Sequence, residues 1–81
     1  MKNPVWVVKK VQANPDYTLL LTFEDGERKL YNARPLLQKE LYKDLRRPDF
    51  FMRAKVSCGT VEWDENIDIA PEYLYDHSVR I

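Results

Sequence analysis

The dipeptide Asp25-Gly26 stands between two β-rich runs, residues 17–23 and 28–32, and constrains the fold more than any other pair in the chain. Apolar runs separated by Asp-Gly read as a hairpin, because both residues tolerate the positive φ that a two-residue type I′ turn requires. Such a turn pairs Leu21 with Leu30 and Leu19 with Asn32. Side chains alternate along a strand, so Leu19, Leu21, Phe23 and Leu30 are expected on one face, the core face, and Leu20 and Tyr31 on the other.

Upstream, residues 5–13 read as a strand with Val5, Val7, Val11 and Ala13 on one face and Trp6, Val8, Lys10 and Gln12 on the other, interrupted by Lys9. "NPDY" then supplies a reversal, with Pro15 suited to a type I turn. Downstream, Pro35 suits the first turn of a helix, and Leu37, Leu41 and Leu45 recur at helical spacing, flanked by Leu36 and Tyr42, which predicts an amphipathic helix of about three turns. Pro48 ends that helix or opens a short second turn that drives Phe50 and Phe51 into the core. Ala54, Val56 and Cys58 alternate with polar residues, Gly59 turns the chain, and Val61 and Trp63 alternate in their turn, giving a second hairpin. A turn, an extended stretch over 67–69 and a Pro71-initiated helical turn carrying Leu74 complete the chain. The expected class is α+β, one domain over residues 1–81. Its antiparallel sheet should have about five strands in β-β-β-α-β-β order, one main helix on one face and a short C-terminal helical turn.

With 81 residues there is room for one core, and 44% hydrophobic against 32% charged residues describes a folded chain. A lone cysteine, Cys58, excludes an internal disulfide and suits a reducing cytoplasm. No apolar run matches a signal peptide or a membrane span, so a soluble, unprocessed cytoplasmic protein is expected. The formal net charge of zero conceals a segregation: residues 28–55 carry nine basic and three acidic side chains, whereas residues 56–81 carry one basic and six acidic. A mixed-sign surface keeps a small domain soluble, but a basic side also suits a partner. Arg34, Lys39, Lys43, Arg46 and Arg47 are the candidate contacts.

The acidic stretch "VEWDENIDIAPEYLY", residues 61–75, spaces Asp64, Asn66 and Asp68 as a calcium loop does. The sixth position is Ile69 where glycine is needed and the twelfth is Tyr75 where a bidentate Glu is needed, so the expected role is structural. Asn66 makes the turn, Asp68 caps or braces it, and Glu72 sits at the positive end of the last helical turn. Paired-carboxylate hydrolysis needs a cleft that so small a domain hardly offers. The only histidine, His77, lies near the chain end, and Gly26 and Gly59 stand alone, so neither nucleophilic catalysis nor a phosphate loop is expected. No metal or cofactor is expected. Trp6, Tyr31, Tyr42 and Trp63 are apt to stack bases, yet their strand and helix spacing reads first as core.

The blocks "DYTLLLTFEDGERKLYNARPLL", "LRRPDFF" and "GTVEWDENIDIAPEYLY" together resemble the small bacterial family called domain of unknown function 2442. Trp63, Asp68, Pro71, Glu72, Leu74 and Tyr75 match its final motif, while Asp64 replaces a proline and Asn66 a glycine, a change the same backbone tolerates. The resemblance implies an α+β domain without established catalytic residues. Some members continue into a helix-turn-helix, an extension this chain, whose last residue is Ile81, is expected to lack. Many are encoded beside another short protein in an arrangement resembling a toxin and antitoxin pair. The expected function is therefore a non-enzymatic protein-binding or regulatory module, an antitoxin-like partner of a neighbouring small protein. Nucleic-acid binding through the basic segment is the alternative, a small-molecule site a third reading, and no membrane is expected.

Overall fold

A computed structural model describes residues 5–64 and 67–81. Strands β1 (Val8–Ala13), β2 (Thr18–Phe23) and β3 (Arg28–Asn32) lead into two 3-10 segments, Arg34–Gln38 and Glu40–Arg46, and the short helix α1 (Pro48–Phe51). β4 (Lys55–Ser57), β5 (Thr60–Asp64), β6 (Ile67–Ile69), the helix α2 (Pro71–His77) and β7 (Val79–Arg80) follow. The architecture is α+β and antiparallel, but the expected single sheet is two, in the orders β1-β2-β3-β7 and β4-β5-β6. The free edge of β3 is taken by β7, so the second hairpin completes itself with β6 instead. Both β6 and β7 are too short to show a periodicity of their own. The sheets meet where the Val8 N–H donates to the Gly59 carbonyl at 2.9 Å.

The first hairpin differs from expectation by one residue. Observed partners are Leu21↔Lys29, Leu20↔Leu30 and Leu19↔Tyr31. The loop is three residues long: Gly26 N–H bonds the Phe23 carbonyl, Phe23 N–H bonds the Glu27 carbonyl, and of the loop residues Gly26 alone has positive φ, at 85°. This is a turn followed by a left-handed glycine, which makes a bulge, rather than a type I′ turn at Asp25-Gly26. Asp25 holds it by accepting the Glu27 N–H on Oδ1 at 2.9 Å. One residue of slip inverts β3. Tyr31, 3% exposed, joins Leu19, Leu21 and Phe23 in the core, and Leu30 faces outward beside Leu20.

Two other turns also depart from expectation. The two-residue positive-φ turn occurs at Cys58-Gly59 (φ 53° and 79°), which takes Cys58 out of the strand and leaves it exposed. In "NPDY", Tyr17 itself adopts φ 66°, a region that bulky residues avoid. Its hydroxyl donates to the Arg46 carbonyl at 2.5 Å and its ring meets Phe51 edge to face, so distant contacts hold it there. In β1, an irregularity in the pairing between Val8 and Lys10 resets the alternation, so Val8 rather than Val5 or Val7 is buried with Ala13.

The expected three-turn helix is broken at Lys39, whose ψ of 138° is extended. The segments on either side are 3-10; Leu36 and Leu45 are buried, Leu37 and Tyr42 pack half-buried against the core, and Leu41 is 66% exposed. Phe50 and Phe51 enter the core from α1 as the sequence predicts. Trp63 is 3% exposed and donates its indole N–H to the Phe51 carbonyl at 3.0 Å, joining the second sheet to α1. Val61, Ile67, Ile69 and Leu74 complete a core shared by both sheets.

The register yields a direct test. Tyr31→Ala should cost about 3 kcal/mol or more, as other buried aromatic truncations do, whereas Leu30→Ser should cost under about 1 kcal/mol. Urea unfolding of the two variants decides it, and the opposite order would restore the type I′ register.

Candidate functional site

The five basic candidates do not form one stripe, because the break at Lys39 separates what a continuous helix would align. Lys43 pairs with Glu40 at 3.1 Å, and Arg46 Nε donates to the Leu37 carbonyl at 2.6 Å. Arg47 lies over the Phe50 ring at 5.5 Å. Arg34 is exposed, its backbone N–H held by Asn32 Oδ1, and its charge helps keep the Asp16 carboxyl below its usual range, an effect led by the Thr18 hydroxyl. Lys39 alone turns toward a cavity.

The acidic block is mostly structural. Trp63 and Leu74 are core, Pro71 opens α2 and Glu72 lies in its first turn. The turn assigned to Asn66 lies outside the described residues. Asp68 is an exposed β6 residue paired with Glu62, and the turn it is expected to brace lies outside the described residues; the N-cap of α2 is Ala70, without a side-chain bond. Among the described residues no three His, Cys, Asp or Glu side chains converge on a possible ion, and no described helix is long and apolar enough to cross a membrane.

Tyr75 has a role the motif does not announce. The register that buries Tyr31 also turns Lys29 inward, and Tyr75 receives it. Lys29 Nζ lies 3.7 Å from the Tyr75 ring centroid and donates to the Tyr75 carbonyl at 2.8 Å. Glu27 stands 4.0 Å from Lys29 and 2.7 Å from Arg80 Nε, which fixes β7 beside β3. Phe23–Tyr75 and Tyr31–Tyr73 edge contacts seat α2 under the first sheet.

Among the described residues, two concave surfaces stand out. One is a cavity of about 190 Å³ between the 3-10 segments, β6 and the start of α2, lined by Leu36, Lys39, Tyr42, Ile69, Ala70 and Tyr73. Burial, the hydroxyl of Tyr73 and the neighbouring phenols push the Tyr31 hydroxyl far above its ordinary pKa. Burial, then the Asp68 charge, also raises the Tyr42 hydroxyl above its ordinary pKa. The other is a concavity of about 390 Å³ on the outer face of the first sheet, bordered by Lys10, Val11, Gln12, Leu20, Thr22 and Arg28. Beside it Leu20, Leu30 and Val79 lie in one cross-strand row, with Val79 64% exposed. Sequence reasoning missed Tyr73, Ile69 and Ala70, which gather only through tertiary packing. It also missed Lys10, Arg28 and Leu30, whose grouping follows from the register.

The buried Tyr31 and half-buried Tyr42 set an alkaline limit. Tyr31 and Tyr42 titrate above the ordinary 10.0 when folded, so the stability they confer is complete below about pH 10. It is lost as pH rises through their folded values. Urea midpoints should fall between about pH 10 and 12, and more gently in Tyr31→Phe than in the parent. Equal slopes would remove Tyr31 as the cause.

No curated protein and no solved structure matches this chain. The family model described as Protein of unknown function (DUF2442) matches residues 8–80, from the first residue of β1 to the last of β7, and the chain belongs to that family.

Proposed function

We propose that this chain is a protein-binding module of a regulatory, antitoxin-like kind, acting by association rather than by catalysis, and that its partner docks on the outer face of the first sheet. The observation that carries this reading is the Leu20, Leu30, Val79 row, which lies outside the hydrophobic core, with Leu20 and Leu30 half-buried and Val79 64% exposed. An apolar strip on a sheet face is what a folded partner buries. Lys10 and Arg28 flank it and have no ion-pair partner among the described residues. The matching surface is an apolar centre rimmed by carboxylates, so that charge steers the encounter and the aliphatic row holds the complex. The single exposed thiol, Cys58, suits a reducing cytoplasm.

Nucleic-acid binding is less well supported, since Lys43, Arg46 and Arg47 already make contacts within the chain. Phosphate contacts would reveal themselves by a steep salt dependence.

The test is calorimetric titration of the chain with the protein encoded beside it, at about 150 mM salt. Leu30→Glu and Arg28→Glu should each weaken binding by about tenfold or more while the melting temperature holds, as at a buried contact and a steering charge. Duplex or single-stranded DNA and RNA should bind no tighter than about 100 μM under the same conditions. Sub-micromolar nucleic-acid binding, lost on charge reversal at Lys43 and Arg46 in a folded variant, would overturn the reading.

A further inference from the structure

The cavity beside Lys39 has a chemistry distinct from the open sheet face. Its floor is apolar, from Leu36 and Ile69, both nearly inaccessible to solvent, with Ala70 at the edge. Its walls are the rings of Tyr42 and Tyr73. Tyr42 is pinned, since its hydroxyl donates to the Asp68 carbonyl at 3.1 Å. Tyr73 is pinned from both sides: it meets Tyr31 edge to face at 6.1 Å and stacks on His77 at 4.0 Å. The cavity is thus bounded by rings held in place before any ligand arrives, which lowers the ordering cost of binding.

The charge at its mouth comes from Lys39. The extended backbone that breaks the helix there places this residue in the lining, and its ammonium has no ion-pair partner among the described residues. Other charged groups lie near. Asp68 is close enough to Tyr42 to raise its pKa, but it alternates with Ile69 along β6, so its side chain points to the face opposite the cavity floor. Glu40 is engaged by Lys43, and His77 lies behind Tyr73.

From this arrangement we propose that the cavity binds a small monocarboxylate with a flat apolar body, its ring between Tyr42 and Tyr73 and its carboxylate on Lys39. At about 190 Å³ the site is smaller than the roughly 300 to 1,000 Å³ that takes drug-sized ligands, which confines it to molecules of about one ring. A quaternary ammonium, which aromatic walls also attract, is disfavoured by the Lys39 charge.

Benzoate is the probe. Titrated into the ¹⁵N-labelled full chain at pH 7, it should give saturable amide shifts centred on Lys39, Tyr42, Ala70 and Tyr73. Benzamide, of the same shape without charge, should bind at least about tenfold more weakly, as should benzoate to Lys39→Gln. Ala70→Leu, which fills the edge of the cavity at an exposed position, should abolish the shifts while leaving the remaining spectrum folded. Equal binding of benzamide and benzoate, undiminished binding by Lys39→Gln, preferential binding of tetramethylammonium, or no saturable shift with benzoate would each overturn the proposal.

Discussion

The position of one glycine governs most of this structure. Gly26 accepts the left-handed backbone at the end of a three-residue loop, and Asp25 locks that loop through its bond to the Glu27 N–H. The loop sets the β2–β3 register, and the register decides which side chains of β3 point inward. Tyr31 and Lys29 go in and Leu30 goes out. Without inward Tyr31 and Lys29, α2 would lose two of the groups that Tyr73 and Tyr75 grip. Without outward Leu30, the apolar row across the open sheet would be interrupted.

Turning a lysine toward the core is costly unless its charge is satisfied. Here the ammonium has the face of an aromatic ring, a backbone carbonyl and a nearby carboxylate, and its side chain is only 12% exposed. The same carboxylate binds Arg80, so compensation for a buried charge also fastens the last strand. Replacing Lys29 with an apolar residue would remove the charge but leave Glu27 with one fewer counterion, and β7 would feel the change.

Legibility in the sequence followed the length of the repeating pattern. Leu19, Leu21, Phe23, Val61 and Trp63 alternate over runs long enough to identify their faces, and prolines 35, 48 and 71 mark the starts of helical segments. Leu41 misled because one continuous helix was assumed where the chain breaks at an extended Lys39, whereas Leu37 and Leu45 do pack inward. β6 and β7, of three and two residues, carry no period at all. Asp25-Gly26 fits two loop lengths, and the inward Lys29 and Tyr31 that go with the observed one meet their partners in α2, some 45 residues away in sequence. Among the residues now grouped around the cavity, Lys39 and Tyr42 stood out in the sequence, one as a basic contact and the other as a helix flank. Neither could be joined to Tyr73 before the fold brought α2 beside them.

Tyr17 has a wider consequence. A bulky residue in left-handed backbone closes its turn badly when alone, at a cost of order 1 to 3 kcal/mol. What offsets that cost comes from the Arg46 carbonyl and the Phe51 ring, which exist in place only when residues 40–51 have already packed. The β1–β2 hairpin is therefore conditional on a part of the chain some 30 residues downstream, and Phe51 in turn answers to Trp63 of the second sheet. Neither sheet has an independent claim to stability, so the chain is wired for all-or-none unfolding, with cooperativity arising from a turn that its own sequence leaves unfinished.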